Sequence, residues 1–101
     1  MAKPVTINIS HDLGREEARR RIEDGFGKVT ANIGFGSLDQ RWEGDTLHFE
    51  ARAMGMTIPG TVEPADTTVT IIVVLPTLLA GMAEMIKGKV EKESTLLLEK
   101  K

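Results

Sequence analysis

Apolar and polar residues alternate along Val5-Thr6-Ile7-Asn8-Ile9-Ser10. A period of two is that of a strand with one buried face and one wet face. Pro4 stands at its start, where a missing N–H is tolerated. The period then lengthens. Ala18, Ile22, Phe26, Val29 and Ile33 follow at steps of four, four, three and four, which keeps them on one stripe of a helix from about Gly14 to Ile33. Asp12 or Ser10 can supply its N-terminal cap, and Glu16 and Glu17 suit the positive end of the helix dipole. Gly25 and Gly27 weaken the middle by about 1 kcal/mol each relative to alanine, a loss that close packing against the sheet or a bend in the helix would explain. Gly34 and Gly36 end the helix.

The next stretch returns to period two and carries three turn signals. Gly44-Asp45 has glycine first, as a two-residue type II′ hairpin requires. Pairing outward from it sets Trp42 opposite Leu47, Gln40 opposite Phe49 and Leu38 opposite Ala51. A second turn at Met54-Gly55 sets Ala53 opposite Met56, Ala51 opposite Ile58 and Leu47 opposite Val62. A loop from Pro64 to Thr67 sets Val62 opposite Val69, Ile58 opposite Val73 and Met56 opposite Leu75. All three registers bring apolar residues to one face, and a one-residue slip in any of them would turn a whole strand over. The agreement predicts a four-stranded antiparallel meander. Pro59 conflicts with a strand flanked on both sides. A bulge or bend at Ile58-Pro59-Gly60 is therefore expected, with the Phe49 ring over the bare backbone of Gly60.

Pro76 closes the last strand and suits the first turn of a helix. Leu78, Leu79, Met82, Met85, Ile86 and Val90 continue at helical spacing, with Met82 and Met85 expected to face the sheet. Leu96-Leu97-Leu98 either extend this helix or peel away, and they need cover from the core or from a partner chain. The order β-α-β-β-β-β-α predicts an α+β two-layer sandwich, an antiparallel sheet with both helices on one face. The first strand should join the edge beside the last. Asp39, Arg41 and Glu43 would then guard the opposite edge against strand pairing.

Composition narrows the classes. The 101 residues make one domain, residues 1–101. With 41% hydrophobic and 28% charged residues the chain is globular rather than disordered. A domain this small buries only about 60–65% of its unfolded surface, which leaves room for self-association into a homo-oligomer. The net charge of −2 and only four aromatic residues, Trp42 and three phenylalanines, argue against nucleic acid as a partner. Without cysteine there are no disulfides, thiol nucleophiles or thiolate metal sites. The longest apolar run, Ile71 to Leu75, is far too short for a transmembrane segment. The opening residues do not read as a signal peptide. A soluble, cytoplasmic domain is expected.

Catalytic candidates are few. His11 lies beside Asp12 in the loop after the first strand, where it can satisfy backbone. His48 lies on the outer sheet face opposite Arg41, with Glu50 two positions on. Neither has the third group that would orient a base toward a nucleophile. His48 with Glu50 gives two metal ligands at most. No catalytic, cofactor or metal site is assigned, and the chain is expected not to be an enzyme. Arg15 and Arg19-Arg20-Arg21 are neutralised by carboxylates at spacing four: Glu16 to Arg20, Glu17 to Arg21, Arg20 to Asp24. Two apolar features remain. Pro59, Ile72 and Val74 fall side by side on an otherwise polar outer face, a candidate contact patch. Trp42, Phe49, Met82 and Met85, with Met54 and Met56 near them, form a candidate apolar cleft between the last helix and the sheet.

The segments Leu13 to Glu23, Arg41 to Phe49 and the ending Thr95 to Lys100 together resemble the polyhydroxyalkanoic acid system proteins, the polyhydroxyalkanoate granule region family. The resemblance spans nearly the whole chain in order. It implies an association with bacterial storage-polyester metabolism and supplies no catalytic motif. The architecture is also similar to a shortened helix-grip fold, whose larger members hold apolar ligands between helix and sheet. The resemblance implies a non-enzymatic accessory protein, located in the cytoplasm or on the granule. Its partner would be the granule or a granule-associated protein. The alternative is a small carrier or sensor of an apolar acyl ligand.

Overall fold

The structure is a computed structural model that describes residues 3–53 and 55–99, without the side chains of Lys3 and Ile33. Met54 in the second turn, the Ile33 side chain on the helical stripe and Lys100 thus lie outside the described residues. The elements are β1 (Lys3–Ser10), α1 (Arg15–Ile33), β2 (Ser37–Glu43), β3 (Thr46–Ala53), β4 (Met56–Pro64) and β5 (Thr68–Leu75), then a 3₁₀ helix (Thr77–Met82) that runs into α2 (Ala83–Glu99). The fold is α+β. Its five strands form one antiparallel sheet in the order β1-β5-β4-β3-β2. β1 lies beside β5 and the charged strand β2 forms the opposite edge, as the pattern requires.

The first two hairpins pair as the alternation dictates. Trp42 faces Leu47, and Ala53 faces Met56. Gly44 and Gly55 take φ of 60° and 76°, a region open to glycine at little cost. The third hairpin differs. Pro64 faces Val69, Val62 faces Ile71 and Gly60 faces Val73, two residues away from the expected register. Pro64 is the last residue of the strand, not the first of the loop, and it is buried. A slip of two keeps every side chain on its face, so the core is unchanged.

No bulge forms at Pro59. The β3–β4 register runs unbroken through Ala51↔Ile58, Glu50↔Pro59 and Phe49↔Gly60. The proline is tolerated because the ladder to β5 stops at Gly60↔Val73. Gly60 behaves as expected: a Cβ there would strike the Phe49 ring and the Ile72 carbonyl oxygen.

The core lies between the sheet and the helices. Val5, Ile7 and Ile9 from β1 join Leu47, Phe49, Ile58, Val62, Val69, Ile71, Val73 and Leu75. α1 closes over them with Ala18, Ile22, Phe26 and Val29. Phe26 packs on Phe49 with ring centroids 5.0 Å apart at 59°, a tilted pairing that aromatic quadrupoles favour. α1 begins without a side-chain cap. Gly14 (φ 81°, ψ 160°) occupies the cap position instead of Asp12 or Ser10. Gly34 closes the helix in the left-handed region at φ 104°.

The two helices run antiparallel. Gly25 makes room for Leu97 of α2, so this glycine serves helix–helix rather than helix–sheet packing. The Arg21 guanidinium donates to the Leu98 carbonyl at 3.1 Å, satisfying an acceptor that a helix C-terminus leaves open. Asn32 donates to Glu93 at 2.8 Å. The leucine ending therefore continues the helix. Leu98 is buried, Leu97 packs against the core and Leu96 faces water.

One sequence expectation fails in α2. The buried residues of this last helical stretch are Leu79, Ala83, Ile86, Val90, Ser94 and Leu98, whereas Met82 and Met85 point outward. The buried stripe runs through Ala83, and Met82 and Met85 each precede a buried residue by one position, a turn of about 100° around the helix that carries them off the core flank. α2 packs on α1 and β1, and the sheet stays open. This arrangement does not by itself establish the shortened helix-grip likeness.

Candidate functional site

Both helices lie on one side of the sheet, so its other face is bare. The registers order that face in rows. One row reads Arg41, His48, Thr61, Ile72 and Thr6 from β2 to β1. Its neighbour starts with Asp39, Glu50 and Pro59 and ends with Val74 and Pro4. Charge is gathered over β2 and β3, and apolar surface over β4, β5 and the start of β1. The two meet in a hollow of about 530 Å³. Pro59, Ile72 and Val74 form its apolar side, and Asp39, Arg41, His48, Glu50 and Thr61 its polar side. The contact patch expected from the alternation is thus assembled in one concavity. The sequence reading did not connect it with His48 and Arg41, although the first hairpin register held that signal.

Ionic contacts shape the polar wall. The Glu43 carboxylate lies 3.5 Å from the Arg41 guanidinium and 3.2 Å from His48 Nε2. Arg52 reaches Asp39 at 3.9 Å. Asp39 and Glu50 face each other across the β2–β3 ladder, and like charges so placed disfavour the pairing. Among the described residues Glu50 has no ion pair, so a carboxylate stands open beside Pro59. His48 has Glu43 to orient it but no hydrogen bond to a hydroxyl among the described residues. No three His, Asp or Glu side chains converge as a metal site among the described residues.

The other expected cleft does not assemble. Phe49 is closed into the core against Phe26. Trp42, on edge strand β2, is roofed by the Arg19 guanidinium 4.4 Å from its ring centroid, a cation–π contact. Arg19 also reaches Asp45 at 3.1 Å, which pins the start of α1 to the β2–β3 hairpin. Met82 and Met85 are solvent-facing residues on the far helix. Met56 packs at the core margin.

The remaining sequence candidates have structural roles. His11 is buried. Its Nδ1 accepts from the Leu13 N–H at 3.1 Å, so Nε2 carries the proton and donates to the Ala65 carbonyl at 3.0 Å. It clamps the β1–α1 loop onto the β4–β5 turn. On α1, Glu17 binds both Arg20 and Arg21 at 2.6 and 3.0 Å, so Arg20 pairs one turn back, not with Glu16 or Asp24. These bonds, Arg20 first and then Arg21, hold the Glu17 carboxyl below the usual carboxylate range, and Glu17 raises Arg20 in return.

Fold and site together define a two-layer α+β protein with one sheet face left open, part ionic and part apolar. The chain belongs to the family described as "Putative polyhydroxyalkanoic acid system protein", whose model matches residues 5–98. No curated protein matches it. Among solved structures it is similar to the crystal structure of TTHA0849 from Thermus thermophilus, with a TM-score of 0.40 and 14% identity over 96% of this chain and 92% of that one. A likeness that loose has no bearing on function. No described helix is long and apolar enough to cross a membrane.

Proposed function

We propose that this protein is a non-enzymatic accessory protein of the polyhydroxyalkanoate storage-granule system. It acts in the cytoplasm by binding the granule surface or a granule-associated protein. The observation that carries this reading is the bare sheet face of a polyhydroxyalkanoic acid system family member, where Pro59, Ile72 and Val74 lie together in one hollow. Apolar side chains grouped on an otherwise polar face mark a contact surface, and the ionic wall beside them sets orientation. The acyl-carrier alternative needs Trp42, Phe49, Met82 and Met85 around one cavity, and they are apart.

The test is fractionation of polymer-accumulating cells that express a tagged copy. The tagged protein should sediment with the granules. Ile72→Thr/Val74→Thr, which keeps both β-branches but removes apolar surface, should shift it several-fold toward the soluble fraction. A wholly soluble distribution that polymer does not alter would refute the reading.

A further inference from the structure

The strands place six charged side chains on the outer face of the sheet: Asp39, Arg41, Glu43, Glu50, Arg52 and Glu63. Four are acids and two are bases. Both bases are committed, since Arg41 lies 3.5 Å from Glu43 and Arg52 3.9 Å from Asp39. His48 shares Glu43 with Arg41. Among the described residues Glu50 and Glu63 have no ion pair. Of these two, Glu50 lines the hollow and is exposed. Asp39 faces it from β2 and Pro59 from β4. The row therefore runs acid, acid, apolar, and Ile72 and Val74 widen its apolar end.

We infer that this hollow receives a basic side chain with an apolar neighbour, presented by a segment of another protein. The inference rests on the granule reading above and selects a granule-associated protein over the polymer itself. In the free protein Asp39 and Glu50 repel each other across the ladder. A lysine or arginine of the partner, set between them, replaces that repulsion with two attractions, while its neighbour covers Pro59, Ile72 and Val74. A polyester surface cannot do this. Its esters are neutral and accept hydrogen bonds without donating any, so it would bury two carboxylates with no partner. An anionic surface would be repelled by the same pair. A second copy of this chain is also the poorer occupant, because its own face brings the same excess of acid, four against two, to the interface.

Co-sedimentation of the full chain with granules purified from polymer-accumulating cells tests this. One set is untreated. The other is stripped of surface protein with trypsin, which cuts after lysine and arginine, and is then washed with a trypsin inhibitor. The protein should sediment with the untreated set, less so at high salt, and stay in solution with the stripped one. Glu50→Gln keeps the size and polarity of the side chain but removes its charge. It should lower binding at least about tenfold, and it should melt no lower than the parent because the repulsion from Asp39 is gone. Glu50→Lys should abolish binding. Glu63→Gln, on the same face but outside the hollow, should bind as the parent does. Equal binding to both sets, or full binding by the Glu50 variants, would overturn the inference and leave the granule reading standing. No binding to either set would overturn both.

Discussion

Ser94 lies in the buried flank of α2, and its hydroxyl has no hydrogen-bond partner among the described residues. A buried hydroxyl without a partner costs more than it contributes. Alanine would remove that cost, and it favours the helix more than serine does. Ser94→Ala should therefore stabilise the protein by about 1 kcal/mol, a rise of about 4–8 °C in melting temperature for a domain of this size. Differential scanning calorimetry reads it directly, and an unchanged or lower Tm would contradict it. Glu17 gives a second test at this scale. Its carboxyl titrates lower when folded than when unfolded because Arg20 and Arg21 hold the charged form. The stabilisation is then complete above the ordinary carboxylate range and disappears as pH falls through the depressed folded value. Glu17→Gln should melt below the parent at neutral pH by a small margin, since the pair is exposed. The two melting curves should converge in acid. A gap that widens on acidification would mean the sign is wrong.

At the scale of elements, glycines that look alike in the sequence have opposite meanings. Gly60 lies under the Phe49 ring and against the Ile72 carbonyl, so Gly60→Ala overpacks the sheet and should cost roughly 1–3 kcal/mol. Gly27 has nothing within 4 Å of a Cβ and sits inside α1, so Gly27→Ala should stabilise by about 0.5–1 kcal/mol. Urea titrations of the two variants should move in opposite directions. The sequence disclosed the first of these but not the second, because covering of a strand glycine follows from its cross-strand partner whereas open space beside a helix does not. The same distinction runs through the other elements. The two tight hairpins were legible because a two-residue turn at Gly44 fixes register locally, as does the one before Met56. The third was not, since Pro64 punctuates like a turn residue yet pairs with Val69. Only the parity survived, and parity was enough to gather Pro59, Ile72 and Val74. Met82 and Met85 do not face the sheet because the buried stripe passes through Ala83, a small residue that apolar periodicity underweights beside two methionines.

For the molecule as a whole, both helices on one side leave two unlike outer surfaces: an open sheet face with an ionic wall and the solvent-facing flank of the helices. The layer between is held by contacts distant in sequence, among them Arg21 on the end of α2 and Arg19 on Trp42, none of which composition or periodicity could reveal. The sheet order has one more consequence. Neighbouring strands from β2 to β5 follow each other directly, whereas β1 pairs with residues 58 to 72 positions later, from Ser10↔Thr68 to Lys3↔Leu75. During synthesis at about 5–20 residues per second, β1 leaves the ribosome seconds before its mate β5. An alternating segment whose only charge is Lys3 stands without a partner for that interval, the moment at which a nascent chain is most open to capture by chaperones or by other unfinished copies of itself.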